Sequence, residues 1–244
     1  MERFQGKWYC AFRVGKSHAG KGDHGRIRVI VSNDGKSWRA AALLQTKGVD
    51  LRDAKLSVTP GGKLLLNSCE YRVDNDNANV RNNTSVTYLS RNGTDWSAAT
   101  QIADKGYWLW QTTWRGDTGY ALGYQWGNRD ATRFYRTTDG MEYTLHVDHL
   151  RPPGDRSNEH AMFFDATGRA HDLGLAYAKG IGAGRAGGLR ALCLVVTEPD
   201  GWMSITSGKS GIQRKKGYTP RLTSTGFAVD QQWRGTCIDF QMNS

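Results

Sequence analysis

The sequence lacks the features that mark membrane-spanning and secreted chains. No run of about 18 apolar residues occurs among its 244 residues, which excludes an ordinary transmembrane helix. The N-terminal stretch MERFQGKWYCAF has no apolar segment of about 7–15 residues such as a signal peptide requires. If Met1 is the genuine N-terminus, we therefore expect a cytoplasmic protein.

Proline is scarce, and the cysteines do not cluster. Five Pro stand beside 30 Gly, nine Trp and ten Tyr, a composition that favours strands and turns over helices. The cysteines, Cys10, Cys69, Cys193 and Cys237, form no CxxC or Cys/His cluster, so we expect no structural zinc site. None of the other usual ligand spacings is present in the sequence either. Free and mostly buried thiols on strands are expected, with two disulfides as the alternative if the protein is exported.

Positive charge is in excess but does not form a nucleic-acid-binding stripe. Lys and Arg number 33 and Asp and Glu 23, so the formal net charge is +10. The basic residues are spread along the chain, with one compact cluster at 214–216. Because nucleic-acid binding favours a basic stripe interleaved with exposed aromatic side chains, we expect no nucleic-acid partner. The net positive charge suits an anionic sugar ligand at least as well as it suits nucleic acid.

A short turn motif recurs along the chain. Three segments share the pattern Ser/Thr-x-Asp/Asn-Gly-x-x-Trp/Tyr, and TEPDGW is a weaker fourth copy; they are residues 32–38, 90–96, 137–143 and 197–202. The Asp or Asn can accept backbone N–H bonds in a tight turn, and the Gly can adopt positive φ. We call these segments aspartate turns and expect the closing aromatic residue to fold back over each hairpin.

Strand patterns surround the aspartate turns at similar spacings. A glycine leads into GKWYCAF, GKLLLNS, GYALGY and GRAHDLGLAY, and a second strand pattern, such as RIRVIVS or TSVTYLS, directly precedes each turn. A fifth copy, GFAVDQQW, begins at Gly226. A β-meander of about 50 residues repeated nearly five times predicts an all-β fold, a β-propeller of four-stranded blades. We expect residues 1–244 to form one such domain, and the protein to be a monomer.

The aspartate turn resembles the Asp-box, or BNR repeat, of sialidases. The segments WYCAFRVGKSHAGKGDHGRIRVIVSNDGKSW and DLRDAKLSVTPGGKLLLN resemble a bacterial sialidase-like family, in which they form the first blade and the start of the second. The resemblance runs from Phe4 to about Arg169. It implies a six-bladed propeller of which this chain has about four and a half blades. The opening strand of the first blade is then expected to precede Met1.

The resemblance also implies an activity and a set of site residues. Sialidases remove terminal sialic acid from glycoconjugates with a Tyr nucleophile, an activating Glu, an Asp acid/base and arginines that bind the sugar carboxylate. This chemistry requires no metal and no organic cofactor, so none is expected. Matched residue by residue, it implies Asp23, Asp53 and Glu159 as catalytic residues and Arg13 and Arg234 as substrate-binding residues. Asp53 is expected to open the innermost strand of the second blade, and Glu159 to precede a strand of the fourth repeat. Ordinary turn, rim or salt-bridge roles are the alternatives for these side chains.

Two parts of the family pattern are missing from the sequence. The stretch HDLGLAY has no arginine where the family has one, and Tyr218 stands in KKGYTPRL, which differs from the setting of the family's nucleophile. The alternative function is therefore a non-catalytic carbohydrate-binding or protein-interaction propeller.

Four tryptophans, Trp108, Trp110, Trp114 and Trp126, gather between the second and third aspartate turns. The first three are an even number of residues apart, so they share one strand face if the strand is regular. We expect them to form a blade core, with a sugar-stacking platform as the alternative.

Overall fold

The described part of the chain is built from β-strands alone. The computed structural model describes residues 1–16, 24–73, 81–125, 131–150, 156–166, 168, 170–177, 189–196, 221–223 and 226–228. Eighteen strands and no helix occur in these residues, which confirms the predicted all-β fold. The chain divides into two compact units, residues 1–127 with 133–148 and residues 128–132 with 149–244. Within the described residues, no helix has the length and apolar character needed to cross a membrane.

The sheets of the first unit are meanders in which the strands mostly lie in chain order. The first sheet contains β1 (Glu2–Phe4), β2 (Lys7–Val14), β3 (Arg26–Ser32) and β4 (Arg39–Leu44). The second contains β5 (Asp50–Val58), β6 (Leu64–Val73), β7 (Arg81–Ser90) and β8 (Thr100–Gln101). The third contains β9 (Tyr107–Leu109), β10 (Thr113–Arg115), β11 (Thr118–Gln125), β12 (Thr132–Thr137) and β13 (Thr144–Val147). These sheets confirm the predicted repeated meander.

The opening strand of the first sheet is short but present. β1 pairs antiparallel with β2, with Glu2 opposite Tyr9 and Phe4 opposite Lys7. Phe4 is 3% exposed, and its ring centroid lies 5.8 Å from that of Tyr9 in an edge-to-face contact. The expectation that the whole opening strand precedes Met1 is therefore wrong, because three residues are enough to pair and to bury one aromatic ring.

Alternating apolar residues give the sheets their packing faces. In β3, Ile27, Val29 and Val31 are buried while Arg28 and Ile30 between them are more exposed, as the two-residue period of a strand requires. Apolar side chains of the first two sheets pack into one core; its buried members are Phe4, Tyr9, Ile27, Val29, Val31, Val49, Leu51, Leu56, Leu64, Leu66, Val86 and Tyr88. The core of the first unit therefore lies where neighbouring sheets meet.

The first aspartate turn has the predicted hydrogen bonds. Asp34 Oδ1 accepts the backbone N–H groups of the second and third following residues, each at 2.8 Å, and Ser32 Oγ accepts the N–H of Gly35 at 2.8 Å. The indole of Trp38 folds back and donates to the Gly35 carbonyl at 3.2 Å. Because these bonds favour the ionised carboxylate, they lower the pKa of Asp34 to about 2.

The second and third aspartate turns repeat this geometry. Asn92 Oδ1 accepts two backbone N–H groups at 3.0 and 2.9 Å, and Asp139 Oδ1 accepts two at 2.7 and 3.0 Å. The glycines of the three turns have φ of 75°, 77° and 78°, as predicted. Each turn connects the last two strands of its sheet. The fourth copy, residues 197–202, lies outside the described residues.

The glycines of the second and third turns also contact the preceding sheet. A β-carbon on Gly93 would overlap the ring of Tyr9, whose hydroxyl donates to the Asn92 carbonyl at 3.1 Å. A β-carbon on Gly140 would lie 2.8 Å from Leu65 Cδ1. Each of these turns therefore closes its own sheet and packs on the sheet before it.

The tryptophans do not lie on one regular strand. Trp108 on β9 and Trp110 just after it are buried in an aromatic group, whereas Trp114 lies on the separate strand β10 and donates to Ser57 Oγ at 3.2 Å. The condition of one regular strand does not hold, because the chain that pairs with β11 is interrupted between β9 and β10. The expected core role is confirmed for Trp108 and Trp110. Trp126 lies outside the described residues.

The second unit contains two further sheets. β14 (Arg156–Phe164), β15 (Ala170–Tyr177) and β16 (Leu189–Val196) form an antiparallel sheet, and β17 (Arg221–Thr223) pairs with β18 (Gly226–Ala228). At the β14–β15 hairpin, His171 Nε2 lies 2.8 Å from Asp165 Oδ2, and its ring stacks on Phe163 with 4.9 Å between centroids. These contacts join the two strands near their turn.

Two cysteines are described with their side chains, and both are free. Cys69 on β6 is fully buried, and burial raises the pKa of its thiol well above the ordinary value. Cys10 on β2 is half-buried. The expectation of free thiols on strands is confirmed for these two. Cys193 lies on β16, and Cys237 is outside the described residues.

Replacing Gly93 by Ala should destabilise the protein more than replacing Gly35. Both glycines have φ near +75°, so alanine carries the same backbone cost of about 1 kcal/mol at either position. Only Gly93 faces Tyr9; the nearest atoms to a β-carbon on Gly35 are those of Trp8 at 3.7 Å. We expect Gly93→Ala to lower the free energy of unfolding by a further 1–3 kcal/mol or so in urea titrations. Equal losses in the two variants would contradict the packing role of Gly93.

Asn92→Asp should destabilise the second sheet at neutral pH, although the other two turns carry Asp. Asn92 Nδ2 donates to Asp95 Oδ2 at 2.7 Å, so a carboxylate at position 92 would face a second carboxylate. The repulsion raises one folded-state pKa, and the loss of stability is present above that pKa and disappears as the pH falls below it. Urea unfolding midpoints of the wild type and the variant at about pH 7 and pH 4 measure this loss of stability. The double variant Asn92→Asp/Asp95→Asn should recover the wild-type midpoint, because it restores one amide and one carboxylate. An unchanged midpoint of the single variant at neutral pH would contradict the contact between residues 92 and 95.

Candidate functional site

Charged side chains from the first two sheets meet at the start of β5. Asp50 is 6% exposed, and its Oδ1 accepts Arg13 Nε at 2.8 Å and the backbone N–H of Gly25 at 3.0 Å. Its Oδ2 accepts Arg52 Nε at 2.6 Å. One buried carboxylate therefore holds two guanidinium groups, and we call Arg13, Asp50 and Arg52 the arginine–aspartate cluster.

Aromatic rings lie against the cations of this region. The Arg52 guanidinium lies 4.6 Å from the ring centroid of Tyr71, and Lys55 Nζ lies 4.0 Å from that of Trp110. A cation over an aromatic face gains about 0.5–2 kcal/mol, more where water is excluded. These contacts hold the two side chains of β5 in defined positions.

Asp53 lies at a bulge inside β5. The register of β5 against β6 shifts between Arg52 and Lys55, and Asp53 has φ of 50° and an exposed side chain. Lys55 Nζ donates to the Asp53 carbonyl at 3.3 Å. The expectation that Asp53 opens the innermost strand is wrong, because β5 begins at Asp50. The bulge leaves Asp53 and its neighbour out of the pairing and re-aims the carboxylate.

The five site residues expected from the sequence lie in different places. Arg13 contacts Asp50, and Asp50 lies three positions before Asp53 on β5. Arg13 and Asp53 therefore belong to one region of the first unit. Glu159 lies in the second unit, within β14 and not before it as expected; its side chain is exposed. Asp23 and Arg234 are outside the described residues.

Sequence reasoning missed Asp50. The available signal was the alternation of Asp50 and Arg52, which puts both on one side of a strand. The third member, Arg13, comes from another sheet 37 residues away, and a single sequence carries no sign of that pairing.

The region combines the exposed carboxylate of Asp53 with cationic side chains that lie over aromatic rings. It also contains the buried carboxylate of Asp50, which is paired with two guanidinium groups. An exposed carboxylate on a rigid bulge can accept hydroxyl hydrogen bonds or face a positive charge that develops in a reaction. Among the described residues, no group of three or more His, Cys, Asp and Glu could hold a metal ion.

Comparisons with known proteins yield structural relatives only. No protein-family model and no curated protein matches the chain. The GH32 β-fructofuranosidase of Bombyx mori is 13% identical with a TM-score of 0.59, over 84% of this chain and 47% of that one. An α-L-arabinanase of Penicillium chrysogenum complexed with arabinobiose is 16% identical with a TM-score of 0.56, over 75% and 58%. A thermostable family-43 glycoside hydrolase is 10% identical with a TM-score of 0.56, over 93% and 76%.

At these identities the likeness concerns the fold alone. The chain spans between about half and two thirds of the length of the first structures it matches, with 47%, 64% and 47% covered. The three proteins described above are glycoside hydrolases with propeller-like folds, and they belong to families other than the sialidases. The predicted fold class is therefore confirmed: this chain is all-β, and its β-propeller fold is similar to that of the solved structures it matches.

Proposed function

We propose that this chain is an exo-acting glycosidase that removes a terminal sugar from a glycoconjugate, with Asp53 as a carboxylate at the reacting sugar. The observation that carries the proposal is the conformation of Asp53. It has φ of 50° and an exposed side chain, while Leu51 and Leu56 of the same strand are buried. A non-glycine residue in this region costs on the order of 1 kcal/mol or more, and such strain is concentrated at functional sites.

Glycoside hydrolysis gives such a carboxylate a defined task. The transition state resembles an oxocarbenium ion, and a nearby carboxylate stabilises its positive charge or attacks it as a nucleophile. Asp53 has the required chemical group on a backbone that is fixed on both sides. The second carboxyl group is proposed from the sequence alone, which offers Asp23 and Glu159.

We further propose that the sugar is acidic, with sialic acid as the first candidate. The support is the net charge of +10 and the cationic side chains Arg13, Arg52 and Lys55 in the region of Asp53. Two solved relatives are described with neutral sugars: a β-fructofuranosidase variant in complex with sucrose, and an arabinanase with arabinobiose. Neutral sugars are therefore included in the test.

Asp53→Gly should remove the carboxylate without destabilising the fold. Glycine adopts φ of 50° at no steric cost, so we expect the free energy of unfolding to stay level or rise by up to about 1 kcal/mol. The matched control is Ala54→Gly, because the next residue is not in the left-handed region and glycine there should lower stability by about 0.5–1 kcal/mol. Urea titration measures both. A loss in Asp53→Gly as large as in the control would mean that Asp53 supports the fold.

Asp53→Asn should greatly slow turnover and leave the fold intact. Asparagine tolerates positive φ but lacks the negative charge, so we expect kcat to fall by about 100-fold or more. The measurement is fluorophore release from aryl α-sialoside, α-L-arabinofuranoside and β-xyloside, together with hydrolysis of sucrose. Asp117→Asn, at an exposed aspartate in the β10–β11 turn, is the control and should retain activity within about twofold.

Each other outcome has a definite meaning. Turnover that Asp53→Asn retains would overturn the assignment of the carboxylate. Turnover confined to a neutral sugar would overturn the proposal of an acidic substrate but not that of a glycosidase. The absence of turnover by folded protein would overturn the proposal of an enzyme. In that case a thermal shift with a sugar would indicate a carbohydrate-binding propeller, and the absence of a shift a protein-interaction propeller.

A further inference from the structure

Asp50 is a buried carboxylate that binds three donors from three parts of the first unit. Its oxygens accept Arg13 Nε from β2, the backbone N–H of Gly25 just before β3, and Arg52 Nε from β5 itself. Burial of a charged group is costly unless it is paired and hydrogen-bonded, and here both oxygens are used. The contacts of Arg13 and of Arg52 indicate what this arrangement achieves.

Arg13 lies between two glycines that flank it in space. A β-carbon on Gly15 would lie 2.7 Å from Arg13 Nη1, and one on Gly25 would overlap both Arg13 Nε and Asp50 Oδ1. The guanidinium therefore lies against the backbone of both glycines. The N–H of Leu51 donates to the Gly25 carbonyl at 2.9 Å, which adds a second link between Gly25 and β5.

Arg52 fixes the backbone that leads into the bulge. Its guanidinium lies between Asp50 and the face of Tyr71, and its carbonyl accepts Ser68 Oγ at 2.7 Å. On the far side of the bulge, Lys55 Nζ donates to the Asp53 carbonyl. The strained residue is thus held from both directions, and Asp50 supplies one of these restraints.

We propose that Asp50 is a positioning residue: its carboxylate orients Arg13 and Arg52, and through Arg52 the bulge that presents Asp53. This inference rests on the proposed function, because it assigns Asp50 a role in that same site. Its basis is that one carboxylate connects Arg13, the backbone of Gly25 and Arg52 through directional, charge-assisted hydrogen bonds. An apolar residue in its place could fill the space but could not aim two guanidinium groups.

A buried carboxylate elsewhere in the second sheet provides the matched control. Glu70 is 8% exposed, accepts Arg72 Nη2 at 2.8 Å and accepts Thr46 Oγ1 at 3.2 Å. These partners differ from the three groups that donate hydrogen bonds to Asp50. Asp50→Ala and Glu70→Ala therefore both remove a buried acid that pairs with arginine, but only the first releases the proposed positioning contacts.

The test compares the two variants by amide hydrogen exchange and by kinetics. We expect exchange at Gly25 to be about tenfold faster or more in Asp50→Ala than in Glu70→Ala, at similar unfolding midpoints. We expect kcat on the aryl glycoside that the wild type cleaves to fall about tenfold or more, with KM within about threefold, only in Asp50→Ala. If Asp50→Ala does not fold, Asp50→Asn and Glu70→Gln replace the pair, since asparagine cannot accept from all three donors.

The two readouts separate the failure of this inference from the failure of the proposed function. Equal exchange in the two variants would overturn the positioning role whether or not the protein is an enzyme. Faster exchange with an unchanged kcat would also overturn it and leave Asp50 a structural residue. A wild type without turnover would overturn the proposed function, and the exchange at Gly25 would still decide whether Asp50 holds the backbone at that residue.

Discussion

The contact between an aspartate turn and the preceding sheet is the constraint on which the first unit depends. Tyr9 packs on Gly93, and Leu65 packs on Gly140. Each glycine is required twice, once for its positive φ and once because a side chain would occupy the space of its neighbour. A four-stranded sheet cannot bury its faces alone, so this repeated contact sets the spacing at which the apolar faces of neighbouring sheets meet.

The arginine–aspartate cluster depends on that packing. Once the first two sheets share a core, Arg13 of β2 reaches Asp50 of β5, and the donors of two sheets converge on one carboxylate. Buried charges seldom increase stability compared with apolar residues of the same size, because removing them from water is costly. The cluster lies at the start of the strand whose bulge exposes Asp53, and its hydrogen bonds give the side chains of Arg13 and Arg52 a defined orientation there.

The fold is shared far more widely than the site. Solved relatives with 10–16% identity keep the propeller, because alternating apolar strands and tight turns can be built from many sequences. Function belongs to the side chains placed on that framework. In this chain a strand of the second sheet, β5, carries the candidate carboxylate of Asp53. Differences in function between proteins that share the propeller fold are therefore expected in the side chains at such positions, not in the framework.

The sequence by itself determined the all-β meander, its period and the chemistry of the aspartate turns, because these depend on hydrogen bonds and alternation among residues close in the chain. It also predicted Asp53 as a site residue. Only the tertiary structure decided that β5 begins at Asp50 and bulges at Asp53, that β9 and β10 are separate strands, and that Arg13 pairs with Asp50. Bulges and ion pairs of this kind depend on partners from other strands, 37 residues away in the case of Arg13 and Asp50, and local patterns contain no information on them.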